Sequence, residues 1–89
     1  MIEKEHYYTL TIKDFERKIY YLSKERKFSR INFKDAYFSE SKDTIEYIGD
    51  KLLEEIDLNK FDIKTMQIVK VEITYSPFQS KLMNALLKD

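Results

Sequence analysis

The sequence has no cysteine and no tryptophan, and it contains one glycine, one proline and one histidine in 89 residues. The absence of cysteine excludes disulfide scaffolds, thiolate metal sites and cysteine nucleophiles. A single histidine excludes metal sites built on a histidine pair, and a single glycine excludes a glycine-rich phosphate loop. No apolar run approaches the length of about 18 residues that a membrane-spanning helix needs, and the N-terminus lacks the apolar stretch of a signal peptide. We therefore expect a cytoplasmic protein without a membrane partner.

The chain also lacks an excess of charge of either sign. Sixteen Lys and Arg residues balance sixteen Asp and Glu residues, so the formal net charge is zero. This balance removes the global electrostatic reason for binding nucleic acid or a membrane surface, although a local one is still possible. Apolar residues make up 43 % of the chain and aromatic residues 15 %, which is enough for a hydrophobic core. The composition predicts one compact domain over residues 1–89.

Three segments have a clear periodicity, and a fourth carries a helix-start signal. Residues 6–12 and 66–75 alternate in the manner of strands, with β-branched and aromatic side chains. Residues 44–57 place apolar side chains at helical spacing, behind a start at Asp43–Glu46 that resembles a capping box. Ser76 and Pro77 predict the start of a short C-terminal helix.

Residues 15–26 are ambiguous. Phe15, Ile19, Leu22 and Arg26 fall at helical spacing, which favours a helix, but residues 18–23 followed by a polar turn also resemble half of a β-hairpin. Strands are expected at residues 28–33 and 36–38. With a helix at 15–26, the fold is α+β with an open, mostly antiparallel sheet, helices on one face and the ferredoxin-like order β-α-β-β-α-β plus a C-terminal helix. With a strand there, the fold becomes a three-stranded meander followed by α-β-α.

Catalytic signals are weak. His6 lies on or just before the first strand, where a partly exposed structural role is the ordinary one, and a serine–histidine relay would depend on it alone. Ser39 and Lys42 match the S-x-x-K pattern of penicillin-recognising enzymes, but those enzymes need further motifs and a far longer chain. We expect no enzymatic activity, no catalytic residue, no metal site and no cofactor.

Charge is unevenly distributed along the chain. Residues 17–34 contain seven basic residues and one acid, while residues 35–62 contain nine acids and three basic residues, for local charges of +6 and −6. The two regions either face each other within the monomer or form separate charged surfaces that steer partners. Within the acidic region, five carboxylates lie opposite the apolar stripe of the predicted helix: Asp43, Glu46, Asp50, Glu54 and Asp57.

The basic region raises the question of nucleic-acid binding. Residues 26–33 match the octamer of the RNA-recognition motif at the leading basic residue, at Phe28 and at Phe33, but fail at both small-residue positions and at the central aromatic. Phe28 and Phe33 also have opposite parity, so a regular strand cannot present both on one face. Arg26, Lys27 and Arg30 nevertheless make this segment the best candidate for binding single-stranded RNA or DNA.

The profile favours a non-enzymatic protein–protein interaction module, such as a small inhibitor or adaptor of bacterial or phage origin that docks on a larger protein. The predicted partner-binding residues are Glu46, Tyr47, Asp50 and Glu54 on the helix together with Arg26, Lys27 and Arg30. Tyrosine suits interfaces because it offers a large contact area at little entropic cost. Binding of single-stranded RNA or DNA by residues 24–34 is the alternative, and a homo-oligomer is the third hypothesis. We also expect Gly49 to pack closely against a neighbouring element, so that Gly49→Ala destabilises the protein.

Overall fold

The computed structural model describes residues 3–75 and shows a small α+β fold with one open antiparallel sheet of four strands and one helix. The strand order across the sheet is β3-β2-β1-β4. The elements are β1 (Glu3–Asp14), β2 (Ile19–Leu22), β3 (Phe28–Ser29), a 3-10 turn (Phe33–Asp35), α1 (Lys42–Glu55) and β4 (Phe61–Tyr75). The expected C-terminal helix lies outside the described residues.

The helix predicted at residues 15–26 is wrong. This segment instead forms a turn, the strand β2 and a second turn. The first turn is held by Asp14, whose Oδ1 accepts the backbone N–H of Glu16 and of Lys18, each at 2.9 Å. The second turn is held by Ser23, whose Oγ accepts the N–H of Lys27 at 3.3 Å. These hydrogen bonds between side chains and nearby backbone groups give the segment an alternative to the helix.

The ferredoxin-like order with two helices is not confirmed. The described residues follow the alternative order as far as it reaches, with a meander of β1, β2 and β3, then α1, then β4. The strand expected at residues 28–33 ends at Ser29, and residues 36–38 form no strand. Phe33 begins a 3-10 turn, and Tyr37 donates its N–H to the carbonyl of Leu22 at 2.8 Å.

The helix α1 covers one face of the sheet. It is capped by Ser41, whose Oγ accepts the N–H of Thr44 at 3.3 Å, so the helix starts before the predicted cap at Asp43. It ends at Glu55, which leaves Asp57 outside it. The apolar stripe of α1 packs on the centre of the sheet and forms the main core: Leu10, Leu22, Ile45 and Ile48.

The strands β1 and β4 pair over most of their length and fix which side chains face the helix. Leu10 lies opposite Ile68 and Thr9 lies opposite Val69, with a bulge after Thr11. Directly opposed residues share a face, and Met66 and Ile68 pack against the core below α1. The odd-numbered residues of β4 therefore lie on the other face of the sheet: Val69, Val71 and Ile73. We call it the helix-free face because no helix of residues 3–75 lies on it.

Gly49 packs closely against the sheet, as expected from the sequence. It is buried on α1, and a Cβ atom added there would lie 3.3 Å from Cδ2 of Leu10 and 3.8 Å from Cδ1. The neighbour is thus the end of a side chain and not the backbone of another element. This difference determines the expected effect of Gly49→Ala.

Candidate partner-binding surfaces

The outer face of α1 carries four of the predicted site residues together. Glu46, Tyr47, Asp50 and Glu54 are all exposed, and the tyrosine ring is 60 % accessible. Lys51 Nζ lies 5.6 Å from the centre of the Tyr47 ring, a cation–π distance. Lys42 forms an i,i+4 ion pair of 3.9 Å with Glu46. The helix contains five acids and two lysines, so this face is predominantly negative.

A shallow groove of about 150 Å³ runs beside Tyr47. Ile48 and Leu52 supply its apolar atoms, while Arg26 and the last acids of the helix supply its charges. The described residues that line it are Arg26, Tyr47, Ile48, Lys51, Leu52, Glu54 and Glu55. Residues far apart in sequence, Arg26 and Glu54, thus border one groove, and the basic and acidic regions meet there within the monomer.

The turn that carries Arg26 explains how it reaches α1. Arg26 has a φ of 63°, in the left-handed region, and donates its N–H to the carbonyl of Ser23 at 2.9 Å. Ser23 in turn donates to the carbonyl of Lys27 at 2.8 Å, which closes the hairpin between β2 and β3. A left-handed residue after a type I turn is a common way to close such a loop. Lys27 lies in the same turn and is exposed.

Arg30, the third predicted basic residue, does not line this groove. Its Nη1 donates to the carbonyl of Ile19 at 3.1 Å, and its guanidinium carbon lies 5.7 Å from the centre of the Tyr20 ring. Lys60 also lies over Tyr20, with Nζ 5.3 Å from the ring centre. The structure therefore separates Arg30 from Arg26 and gives it a structural contact at the edge of β2.

The helix-free face of the sheet carries an aromatic series that the sequence analysis missed. The ring of Phe33 lies 5.5 Å from that of Tyr21 and 5.3 Å from that of Phe38, and Phe33 is 39 % exposed. A groove of about 190 Å³ borders Tyr21 and Phe33 and extends to Val69. The alternation of residues 66–75 was sufficient to predict that Val69 and its neighbours share a face. The position of Phe33 on the same face depends on the 3-10 turn at Phe33–Asp35, which no alternation indicates.

Phe28 lies away from this aromatic series. It packs against the core below α1, with its ring 6.1 Å from that of Phe61. Phe28 and Phe33, which match the RNA-recognition octamer, are therefore on different sides of the sheet. The structure does not assemble the pair of stacking aromatics that this motif requires.

The pKa of Asp14 is lowered from its usual value. Burial acts to raise its pKa, but the N–H of Lys18, the hydroxyl of Tyr20 at 3.2 Å, the N–H of Glu16 and the charge of Lys18 together hold the pKa below its usual value. The carboxylate accepts hydrogen bonds from its own turn and from Tyr20. Since these groups are local and structural, we interpret Asp14 as the organiser of the β1–β2 turn.

His6, the single histidine of the chain, belongs to no group of metal-ligating side chains among the described residues. Within residues 3–75, no group of three or more histidine or acidic side chains is arranged to hold a metal ion. His6 lies 3.7 Å from Glu72 on the neighbouring strand and is partly exposed. Among the described residues, no helix has the length and apolarity needed to cross a membrane. Models of known protein families, curated proteins and solved structures were compared with the chain, and none of them matches.

Proposed function

We propose that this protein is a non-enzymatic interaction module that binds a larger protein through the outer face of α1. One observation carries the proposal, namely that Tyr47 is 60 % exposed beside a groove with apolar walls. Exposed tyrosine rings next to apolar grooves are typical of the anchors that dominate binding energy at protein interfaces. A small inhibitor or adaptor would use such a face.

The charges on α1 support a basic partner surface. Glu46, Asp50 and Glu54 are spaced four residues apart, so they repel one another along the helix by about 0.2–0.5 kcal/mol per pair. A partner carrying Lys or Arg would relieve this repulsion and would be steered toward the face over several ångströms. Arg26 at the rim of the groove adds one site for an acidic residue of the same partner.

The charge contribution is tested with the variant Glu46→Gln, Asp50→Gln, Glu54→Gln. A pull-down from the native host with mass spectrometry supplies the partner, and binding kinetics are then measured across a salt series. We expect normal folding and an association rate about tenfold lower at low salt, because electrostatic complementarity acts mainly on association. A matched control, Glu16→Gln, Glu25→Gln, Glu40→Gln, changes three exposed acids outside α1. An equal loss in both variants would contradict a specific role for α1.

The anchor is tested with Tyr47→Ala. Because the ring is mostly exposed, its removal should leave the melting temperature nearly unchanged. Partner affinity should fall by about 30-fold or more, mainly through faster dissociation, as for hot-spot aromatics. An unchanged dissociation rate would refute the assignment of Tyr47 as the anchor.

Binding of single-stranded RNA or DNA by residues 24–34 is the second candidate function. The aromatic series of Tyr21, Phe33 and Phe38 on the helix-free face favours it, since such residues can stack on bases. The packing of Phe28 against the core and the position of Arg26 beside the acids of α1 weigh against it. We expect affinity weaker than about 10 μM at about 0.15 M salt. Submicromolar binding that is lost in the variant Arg26→Ala, Lys27→Ala, Arg30→Ala would reverse the ranking.

A further inference from the structure

The outer edge of β4 is long, and within residues 3–75 no strand pairs with it. β4 is the last strand in the order β3-β2-β1-β4, and no described residue pairs with its outer side. Its 15 residues, Phe61–Tyr75, contain neither proline nor glycine. A sheet edge of this kind presents free N–H and C=O groups that can pair with another strand.

The hydrogen bonds of β1 show which residues of β4 point their backbone groups outward. Tyr8 donates to and accepts from Ser39, at 2.8 and 2.9 Å, on the side of β1 away from β4. Tyr8 and its opposite residue Lys70 therefore form a non-hydrogen-bonded pair, and the N–H and C=O of Lys70 point away from β1. The register runs without a shift from Glu3 to Thr11, so the same holds for every second residue: Ile68, Glu72 and Thr74.

We propose that two copies of this chain pair antiparallel through the outer edges of β4, with the two-fold axis at Val71. Lys70 of each copy then lies opposite Glu72 of the second copy in a hydrogen-bonded pair, which creates two cross-strand ion pairs. On the other face Val71 lies opposite itself, and Val69 lies opposite Ile73. Opposite charges and β-branched pairs at these positions stabilise antiparallel strands.

The charges select this register. An axis at Lys70 would oppose the two Lys70 side chains, and an axis at Glu72 would oppose the two Glu72 side chains. An axis at Val69 would place Lys70 opposite Ile68 and Glu72 opposite Met66. Lys70 forms no ion pair with a described residue of its own chain, whereas Glu72 lies 3.4 Å from Lys4 and 3.7 Å from His6. The axis at Val71 supplies the missing partner of Lys70 and leaves these contacts in place.

Self-complementarity identifies a second copy as the occupant of the edge. The two-fold arrangement is isologous and closed, so it stops at the dimer. The other edge of the sheet, β3, is two residues long and offers little for further pairing. The dimer would contain a continuous sheet of eight described strands with both α1 helices on one side, and it would cover Ile73, which is 40 % exposed in the monomer. This interface leaves the outer face of α1 free, so the proposal stands apart from the function proposed above.

Two charge-reversal variants of the full chain test the pairing by sedimentation velocity. In the proposed dimer, residue 70 of each copy lies opposite residue 72 of the other copy. Lys70→Glu would therefore place two acids opposite each other in both pairs, and Glu72→Lys would place two lysines opposite each other in both pairs. We expect the unmodified protein to dimerise, each variant alone to dimerise at least tenfold more weakly, and an equimolar mixture of the two to recover the dimer. Lys64→Glu changes the same charge on the same strand outside the paired stretch and should dimerise like the unmodified protein.

Single cysteines test the register, and they are unambiguous because the chain has no other cysteine. The Cα atoms of a directly opposed, non-hydrogen-bonded pair lie about 4.5 Å apart, within the range of a disulfide. Val71→Cys should therefore oxidise to a covalent dimer. The control Val69→Cys should not, because the two copies of residue 69 would lie about 13 Å apart along the strands.

Several outcomes would overturn the proposal. An unmodified protein that stays monomeric at about 1 mM, well above micromolar dimer affinity, would refute it. So would a dimer that Lys70→Glu leaves unchanged, or a mixture of the two charge variants that stays monomeric while both retain native circular dichroism. If either charge variant fails to fold, the cysteine pair decides, and equal cross-linking of Val71→Cys and Val69→Cys would refute the register.

Discussion

Replacing Gly49 by alanine tests how tightly α1 packs on the sheet. A Cβ atom at this position would meet Cδ2 of Leu10 at 3.3 Å and Cδ1 at 3.8 Å. Ordinary carbon contacts lie at about 3.5–4.0 Å, so one methyl group must move by a few tenths of an ångström. Destabilisation, the effect expected from the sequence, would follow if Gly49 packed against the backbone of another element. A leucine methyl group is easier to displace.

The expected magnitude follows from two opposing terms. Alanine is favoured over glycine in a helix interior by about 0.8–1.0 kcal/mol. Overpacking costs about 1–3 kcal/mol where nothing can move, but Leu10 borders an open groove of about 240 Å³ between α1 and β4. We assign the steric term the low value of about 0.5 kcal/mol because this groove gives the methyl group room. Gly49→Ala should then stabilise the protein by about 0.3–0.5 kcal/mol, which corresponds to a rise of about 1–4 °C in melting temperature.

Thermal and urea unfolding, followed by circular dichroism, measure this difference. A double-mutant cycle with Leu10→Val separates the two terms, because valine lacks both Cδ atoms that the new Cβ would meet. In that background Gly49→Ala should give the full helix-propensity gain of about 0.8–1.0 kcal/mol. The reasoning would be refuted if Gly49→Ala lowered the melting temperature of the otherwise unmodified protein but raised that of the Leu10→Val variant. This result would show that the Leu10 side chain cannot move away from the new Cβ atom.

Three further predictions concern the β1–β2 and β2–β3 turns and the centre of the sheet. The lowered pKa of Asp14 means that its carboxylate stabilises the fold above its unfolded value of 3.8, and that this contribution is lost as the pH falls through the lower folded value. The stability difference between the protein and Asp14→Asn should therefore shrink below about pH 4, as measured by urea midpoints across pH. Arg17 and Arg26 have left-handed φ values of 71° and 63°, which glycine adopts more easily than arginine. Arg17→Gly and Arg26→Gly should therefore each raise the free energy of unfolding by about 0.5 kcal/mol, measured as a higher urea midpoint. The control Arg26→Ala should give no gain. Thr9→Val should raise the melting temperature, with a gain of about 1 kcal/mol, because Thr9 Oγ1 is buried without a hydrogen-bond partner among the described residues, and a lower melting temperature would contradict this.

Periodicity was sufficient to predict the longest elements. The alternation at residues 6–12, the apolar stripe at 44–57 and the alternation at 66–75 correspond to parts of β1, α1 and β4. The predicted bounds of these three elements differ from the observed ones at their ends, where side chains form hydrogen bonds with the backbone. Ser41 caps α1 before the apolar stripe begins. β4 begins at Phe61, on the N-terminal side of the bulge, where Thr65 Oγ1 accepts the N–H of Lys13.

The wrong helix at residues 15–26 has a specific cause. Hairpin loops are normally recognised by glycine or asparagine in left-handed positions, and here arginine occupies both of them. The two loops nevertheless share one pattern: Asp14 and Ser23 are each followed by any residue, then by Glu, Arg and Lys. In both loops the first side chain accepts a backbone N–H four residues later. Comparing these two segments would have indicated a pair of similar turns.

The candidate site was harder to predict because it depends on contacts between distant segments. Glu46, Tyr47, Asp50 and Glu54 follow from the spacing of one helix, and they lie together as expected. The position of Arg26 beside that helix depends on the hairpin of β2 and β3, which was the alternative to the favoured helix at residues 15–26. No local pattern distinguishes Arg26, which borders the groove, from Arg30, which contacts the edge of β2.

The alternation of side chains along β1 determines which face of the sheet α1 covers and which residues of β4 lie on the other face. Leu10 and Ile12 are almost fully buried on the side of α1, so their strand sets which face the helix covers. Since opposed residues share a face, Ile68 is drawn into the core, and the more apolar side of β4 is left on the helix-free face. The described helix α1 lies on the opposite face, and Val69, Val71 and Ile73 are half-buried or exposed. An apolar row next to an edge that no described residue pairs favours association, and pairing two β4 strands would bring the two rows side by side and satisfy the edge in one step.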